Sequence, residues 1–283
     1  MPSGLVGVDV ASFQGTPGQW RAAAGNISWA AVKFTELQPS GTRYVNPDAA
    51  ADWAYLKQNG LGRVAYMFGH PSQGSAASVA FFASEIATLG LDDGDGICLD
   101  HEDNDGIGPS AVSAWADRVM SELRSQYGRA PLLYTDLNFA RTGYCAGLGG
   151  YPLWISDPSS PEGSPVVPGP WHSWAIHQYG ITGAIDRDLA AYPSLAAMRT
   201  ALGHTPPPPP PPAPELENEM ILVQVDRTTV PSGTDWPGVF LVAPGAPPHH
   251  VTSTPDNEAY QGAGVKGPAV ISYAEYQGWV AGT

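Results

Sequence analysis

The 283-residue sequence is short of charge, and of cations above all. Lys and Arg number 13 against 27 Asp and Glu, charged residues make up only 14% of the chain, and the formal net charge is −14. That balance excludes a nucleic-acid binder, which needs a basic face for the phosphate backbone. Acidity alone names no partner and mainly favours solubility. Only two cysteines occur, Cys98 and Cys145, too few for a disulfide framework, so both are expected as packed thiols. No apolar run approaches the ~18 residues of a membrane span, and stable membrane insertion is not expected. The opening MPSGLVGVDV has neither the charged n-region nor the apolar h-region of a signal peptide, which leads to the expectation of synthesis in the cytoplasm without one. The GxSxG and GxxxxGK[ST] patterns are missing, so serine-hydrolase and P-loop chemistry have no support. No zinc-ligand spacing occurs either: His249 and His250 are adjacent and lack partners, and no metal or cofactor is expected.

Glycine (33) and proline (29) are abundant, which argues for many turns and against a coiled coil. The prolines concentrate in HTPPPPPPPAP, residues 204–214, which can form neither helix nor sheet and is expected as a polyproline II rod. At about 3.1 Å per residue such a rod holds its neighbours roughly 25–30 Å apart. The expected organisation is therefore a catalytic-size domain over 1–203, a Pro-rich linker over 204–219, and a small β-rich domain over 220–283.

Within the first domain, short apolar runs alternate with helical patterns. Strands are expected at Leu5 to Val10, Ile27 to Phe34, Arg63 to Phe68, Gly96 to Glu102, Pro131 to Thr135, Pro152 to Ser156, Ser173 to Tyr179 and Ala184 to Asp188. Val79, Phe82, Ile86 and Leu89 form one helical stripe, and Val112, Trp115, Val119 and Leu123 another. Pro109 and Gly128 punctuate the second helix at its start and just past its end. Eight strands, helix-connected through the first five and joined by shorter loops afterwards, predict an α/β fold of the irregular (β/α) barrel type, with a doubly wound open sheet as competitor.

The stretch LDHEDND, residues 99–105, packs four acids into seven residues. Alternation along a strand sends Asp100 and Glu102 to one face and His101 to the other, leaving Asp103 and Asp105 to the following loop. Asp9 ends the first strand, Glu36 follows the second, and Asp186 lies in the last, so five carboxylates from four strands would meet at the C-terminal rim. Mutual repulsion there would raise at least one carboxyl toward neutrality. An acid kept protonated beside an ionised neighbour is what glycosidic cleavage requires. The competing reading, solvated turn formers, is weakened by the strand context. A calcium loop beginning at Asp100 fails at its two most diagnostic positions, where Asp105 replaces Gly and Ala111 replaces Glu.

The fragments GVDVASFQG (7–15), AAVKFTE (30–36), VAYMFGHP (64–71), LDHE (99–102), PLLYT (131–135), PLWIS (152–156), HQYG (177–180) and AIDRD (184–188) occur in an order and spacing that resembles glycoside hydrolase family 25, over about residues 5–202. The resemblance implies a (β/α)5(β)3 barrel and an N-acetylmuramidase, or lysozyme, cleaving the β-1,4 bond between MurNAc and GlcNAc in peptidoglycan. It implies Glu102 as proton donor, Asp100 as the partner that stabilises the sugar cation or holds the acetamido group, and Asp9 and Asp186 as acids that position substrate and tune Glu102. Tyr66 matches a cleft tyrosine, and Phe68, Tyr134, Trp154, Gln178 and Tyr179, with Glu36, are expected as sugar-binding walls. Two motifs depart from the family: Tyr-His-Phe is Tyr66-Met67-Phe68 here, and Trp-Gln-Tyr is His177-Gln178-Tyr179. Neither change removes a carboxylate, so altered sugar contacts are expected rather than lost activity.

The tail reads as β-rich, with strands at Ile221 to Val225, Gly238 to Ala243, His249 to Ser253 and Ala269 to Ser272 and a short helix before the last. Trp236, Tyr260, Tyr273, Tyr276 and Trp279 offer ring surfaces, which suggests a wall-binding module that tethers the enzyme to its polymer, with a small assembly domain as the alternative. Leu216 to Met220 permits codons that place GGAG ahead of an in-frame AUG. The expected partners are thus peptidoglycan strands and either a homo-oligomer or association with a separately translated fragment beginning at Met220. The reading as a whole is a phage endolysin acting on the host wall. A bacterial autolysin and a non-catalytic lectin are the competitors, and an amidase or peptidase is disfavoured because no zinc set or Cys/His pair can be assembled.

Overall fold

A computed structural model of the chain describes residues 4–203 and four strands within 221–271. The proline-rich linker, Met220, the five tail aromatics and the short tail helix lie outside the described residues. By contacts the chain divides into Met1–Pro206 and Pro207–Thr283.

The first unit runs β1 (Leu5–Val10), α1 (Pro17–Ala24), β2 (Trp29–Leu37), β3 (Arg43–Val45), α2 (Ala49–Gln58), β4 (Gly62–Phe68), α3 (Ser75–Leu89), β5 (Gly96–Asp100), α4 (Pro109–Tyr127), β6 (Leu132–Asp136), the single turn α5 (Leu137–Phe139), β7 (Leu153–Ser156), β8 (Ile176–Thr182), β9 (Ile185–Ala190) and α6 (Leu195–Leu202). Hydrogen bonding goes β1-β9-β8-β7-β6-β5-β4-β2 and returns to β1, while β3 hangs on the outer end of β2. Eight strands therefore close a barrel, and the open-sheet competitor is excluded.

Strands β1, β2 and β4 through β8 are mutually parallel, as helical and long-loop crossovers require. Between β8 and β9 only Gly183 and Ala184 intervene, with Gly183 at φ +67°. A two-residue turn can only reverse the chain, so β9 is antiparallel to both β8 and β1. Several expected boundaries shift: β2 starts at Trp29 and runs on to Leu37, β8 begins at Ile176, and β5 stops at Asp100 rather than Glu102. The added pairing of β3 with Thr35 to Leu37 accounts for the first shift. β3 itself, only three residues long, is too short to carry a periodic signal.

Two apolar layers hold the barrel. Outside it, the stripe Val112, Trp115, Val119 and Leu123 of α4 and Val79, Phe82 and Ile86 of α3 pack on the outward faces of the strands. Pro109 opens α4, and Gly128, left-handed at φ 57°, ψ 29°, closes it. Inside, Trp29, Ala31, Val64, Cys98, Leu132, Trp154, Ile176 and Ala190 fill the lower lumen. Trp29 reaches across it because Gly7 has no side chain: a Cβ there would lie 2.2 Å from the indole. Both thiols are buried and free, Cys98 inside the barrel and Cys145 in the outer layer.

At the opposite end from the acids, Arg63 is 4% exposed and gives Nε and Nη2 to Asp95 at 2.9 and 2.5 Å, with Nη2 also 2.7 Å from Asp92. Its guanidinium lies 4.3 Å from the Trp53 ring centroid. Arg63→Ala is expected to lower stability by about 3–5 kcal/mol, because it strands a buried carboxylate at Asp95; urea unfolding followed by tryptophan fluorescence measures it.

The second unit contains a four-stranded sheet in the order β12-β11-β10-β13, from β10 (Ile221–Val225), β11 (Val239–Val242), β12 (His249–Val251) and β13 (Lys266–Ile271). β13 runs parallel to β10 and the other neighbours are antiparallel.

Candidate active site

Above the apolar plug, the C-terminal ends of the parallel strands turn polar and open a cleft of about 290 Å³. Asp9 from β1 sits directly across from Asp186 of β9 in the register. Phe68, Asp100 and Tyr134 form a neighbouring row across β4, β5 and β6. Glu102 lies two residues past the end of β5, exposed at the mouth, and lines the same cleft as Asp100. His101 points the other way. It is fully buried, Nε2 lies 3.1 Å from the Tyr144 carbonyl, and burial pushes its pKa down to about 4, so it is neutral and takes no part in the cleft.

The acids perturb one another. Burial, then the neighbouring Asp186, raises Asp9 to about 7. Burial and then Glu102 hold Asp100 well above the carboxylate range, and its Oδ1 has no hydrogen-bond partner. Glu102 is raised too, by desolvation of its carboxyl in the cleft and then by Asp136, with Tyr134 and Lys33 pulling the other way. Gln178 organises the floor: Tyr134 Oη donates to its Oε1 at 3.0 Å, and its Nε2 donates to Asp9 Oδ2 at 2.8 Å. Tyr66, 7% exposed, is kept a phenol by burial and by Asp9 and Asp100. An acid pair of this kind, one member deep with a buried, unsatisfied carboxyl oxygen and the other at the mouth, can hold one proton for a leaving oxygen and one charge for a developing cation.

Residues 8–187 match the model of Glycosyl hydrolases family 25. The chain belongs to that family. A relative, Lysozyme M1 of Streptomyces globisporus, is 26% identical over 195 residues, 65% of this chain and 64% of that protein. The Uncharacterized protein YegX of Escherichia coli K12 is 24% identical over 131 residues, 46% of each. The chain thus spans less than two thirds of the length of these curated relatives. In fold, the first unit resembles a family GH25 lysozyme from Aspergillus fumigatus (TM-score 0.60, 22% identity, 71% of this chain and all of that one) and the bacterial lysozyme of Streptomyces coelicolor (TM-score 0.59, 22% identity, 71% and 98%).

Of the family-25 positions read from the sequence, the structure brings Asp9, Asp100, Glu102, Asp186, Tyr66, Phe68, Tyr134, Trp154 and Gln178 to the cleft. Two expected wall residues are not brought there. Tyr179 alternates outward with His177, the rings 6.0 Å apart, because on β8 the inward positions are Ile176 and Gln178. Glu36 stands behind the wall, its Oε2 2.6 Å from Lys33 Nζ. Trp154 is floor rather than wall. It is 2% exposed, it meets Tyr134 and Trp29 edge-on at 5.1 and 6.0 Å, and its Nε1 donates to Asp188 at 2.9 Å.

Four residues of the cleft or its floor were not singled out from the sequence. Lys33 supplies its cation, three residues before Glu36 in AAVKFTE. Phe13, 90% exposed, stands on the β1–α1 loop at the rim. Gln14 ties that loop to the β8–β9 turn through the Ala184 carbonyl at 3.0 Å. Asp188, fully buried, lies near Asp9 beneath the cleft with its Oδ2 unpartnered, and burial and then Asp9 hold it well above the carboxylate range. The period of two along AIDRD would have found Asp188, since it shares a face with Asp186.

Proposed function

We propose that the chain is a peptidoglycan hydrolase, an N-acetylmuramidase that cleaves the β-1,4 bond between MurNAc and GlcNAc. One observation carries the reading: Asp100 and Glu102 line one open cleft, both with raised carboxyls, one deep and unpartnered and the other at the mouth. Glu102, the accessible member, gives its proton to the glycosidic oxygen as the bond to the anomeric carbon breaks. Asp100 lies deeper, with Oδ1 buried and unpartnered, and its carboxyl lines the cleft where it faces the oxocarbenium-like carbon or accepts the N–H of the 2-acetamido group. Gln178 holds Asp9 at the floor, and Asp136, which raises Glu102, delays its ionisation. Lys33 opposes it, which keeps the cluster from retaining every proton.

Within this reading the chain serves as an endolysin, and its second unit, with the aromatic residues of its sequence, holds it on the wall polymer. The test is mass spectrometry of purified peptidoglycan after digestion by the full chain. Reducing-end MurNAc is the expected product. Reducing-end GlcNAc would make it a glucosaminidase, and intact glycan with the protein bound would leave a lectin.

A further inference from the structure

His70 lies outside the cleft lining yet joins two of its edges. It follows β4 by two residues and is 7% exposed. Nδ1 is 2.8 Å from Asp105 Oδ1, and Nε2 is 3.3 Å from Glu36 Oε1. Asp105 belongs to the loop that leaves Glu102. Its second oxygen accepts the Ser72 amide at 2.9 Å, and its φ of +48° puts a non-glycine residue in the left-handed region. The second oxygen of Glu36 takes Lys33 Nζ at 2.6 Å. Lys33 is caged in turn, its ammonium 4.8 Å from the Phe68 ring centroid and 5.5 Å from that of Tyr44. A continuous run of contacts therefore connects the Glu102 loop, through Asp105, His70 and Glu36, to the one cation that lowers both Asp100 and Glu102.

The chemistry of the two partners fixes what the ring must be. Burial raises Glu36, but Lys33 and His70 outweigh it; burial raises Asp105, but Ser72 and His70 outweigh it, so both carboxyls end below their ordinary range. Ionised carboxylates only accept, so both contacts are hydrogen bonds only when both ring nitrogens carry hydrogen. A neutral imidazole keeps one bond and turns a lone pair toward the other carboxylate. The remaining groups around the ring are the Asp103 carboxylate, grouped within 4.8 Å with the facing atoms of His70 and Asp105, and the Phe68 ring, 5.1 Å away.

We propose that His70 is a positioning residue for the reaction: as an imidazolium it ties the loop that carries Glu102 to the Lys33–Glu36 pair, fixing acid and cation relative to each other. The inference rests on the muramidase reading of the cleft. His70 touches no sugar; it acts through Asp105 and Glu36. Loss of either bond releases one side of the tie and lets the Glu102 loop drift from Lys33, so turnover falls while substrate binding persists.

The experiment measures kcat and KM on purified peptidoglycan at one fixed pH for the full chain and for His70→Gln, which keeps one donor and one acceptor. The variant is expected to lose about tenfold in kcat with KM nearly unchanged, as for a small misplacement of a catalytic group. Parent-like kcat in the variant, or a KM that rises in step with the loss of kcat, would overturn the proposal. A second measurement needs no variant: ¹⁵N NMR of the imidazole in the parent should show both nitrogens protonated at that fixed pH. A bare ring nitrogen there overturns the tie even if the variant fails to fold. A parent that releases no reducing-end MurNAc overturns the reading of the cleft instead, and the two failures are told apart because the NMR measurement requires no activity.

Discussion

Replacement of Glu102 by Gln is expected to lower kcat for release of reducing ends from peptidoglycan by about 10³-fold, the usual scale for loss of a general acid. Gln keeps the length and shape of Glu but has no proton to give to a leaving oxygen. Because Glu102 is exposed at the cleft mouth and lies beyond the end of β5, the exchange leaves the barrel packing untouched. It also removes one of the charges that raise Asp100, so the variant should be at least as stable as the parent. Binding to insoluble peptidoglycan, read by co-sedimentation, should persist. A variant that solubilises walls at the parental rate would show that Glu102 is not the acid, and attention would pass to Asp100, where the deeper proton is held.

The position of that acid was legible in the sequence for a specific reason. Apolar residues in GICL mark a strand buried on both faces, and a period of two then sorts the acids that follow, putting Asp100 and Glu102 in the cleft and His101 in the outer layer. The barrel was favoured by the strand count and the shortening loops, but closure itself was not legible, since eight strands also fit a doubly wound open sheet and the β1–β2 and β1–β9 pairings that close the ring join residues distant in sequence. What escaped the reading was decided by contacts distant in sequence. Trp154 looks like a sugar platform in isolation but is recruited to the floor by Trp29 and Asp188. Asp105 looks like a solvated loop acid but is clamped by His70 and Ser72. Tyr179 shares its strand with Gln178 and is turned outward by one step of the same alternation that found Glu102.

The second large effect is on stability, and its sign runs against the usual behaviour of a folded protein. Asp9 is raised to about 7, and Asp100 and Asp188 are held well above the carboxylate range. In the unfolded chain these groups ionise near pH 4, so between there and about pH 7 the folded state carries more protons than the unfolded one. Stability is therefore fully present at the acid end of this window and is lost as the pH rises through it. Below about pH 4 the trend reverses, because Glu36, Asp92, Asp105 and Asp157, the last lowered to about 2, lose their favourable ionisation. The melting temperature of the barrel, followed by near-UV circular dichroism, should accordingly peak near pH 4 to 5 and fall toward pH 8, by roughly 5 °C or more for a few kcal/mol in a domain of this size.

Asp188→Asn isolates the cause. The amide can give Nδ2–H to Asp9 and take the Trp154 Nε1–H on Oδ1, reproducing the bonds of a protonated Asp188 without a group that must ionise. The variant should match the parent near pH 4.5 and exceed it near pH 8 by about 2 kcal/mol, flattening the profile. Asp188→Ala should instead be less stable at both pH values, because it leaves a cavity and strands the buried indole N–H of Trp154. A parent whose melting temperature climbs steadily from pH 4.5 to pH 8, or an Asn variant no steadier than the parent at the alkaline end, would mean that Asp9 and Asp188 are both ionised in the folded barrel and that no proton is shared beneath the cleft.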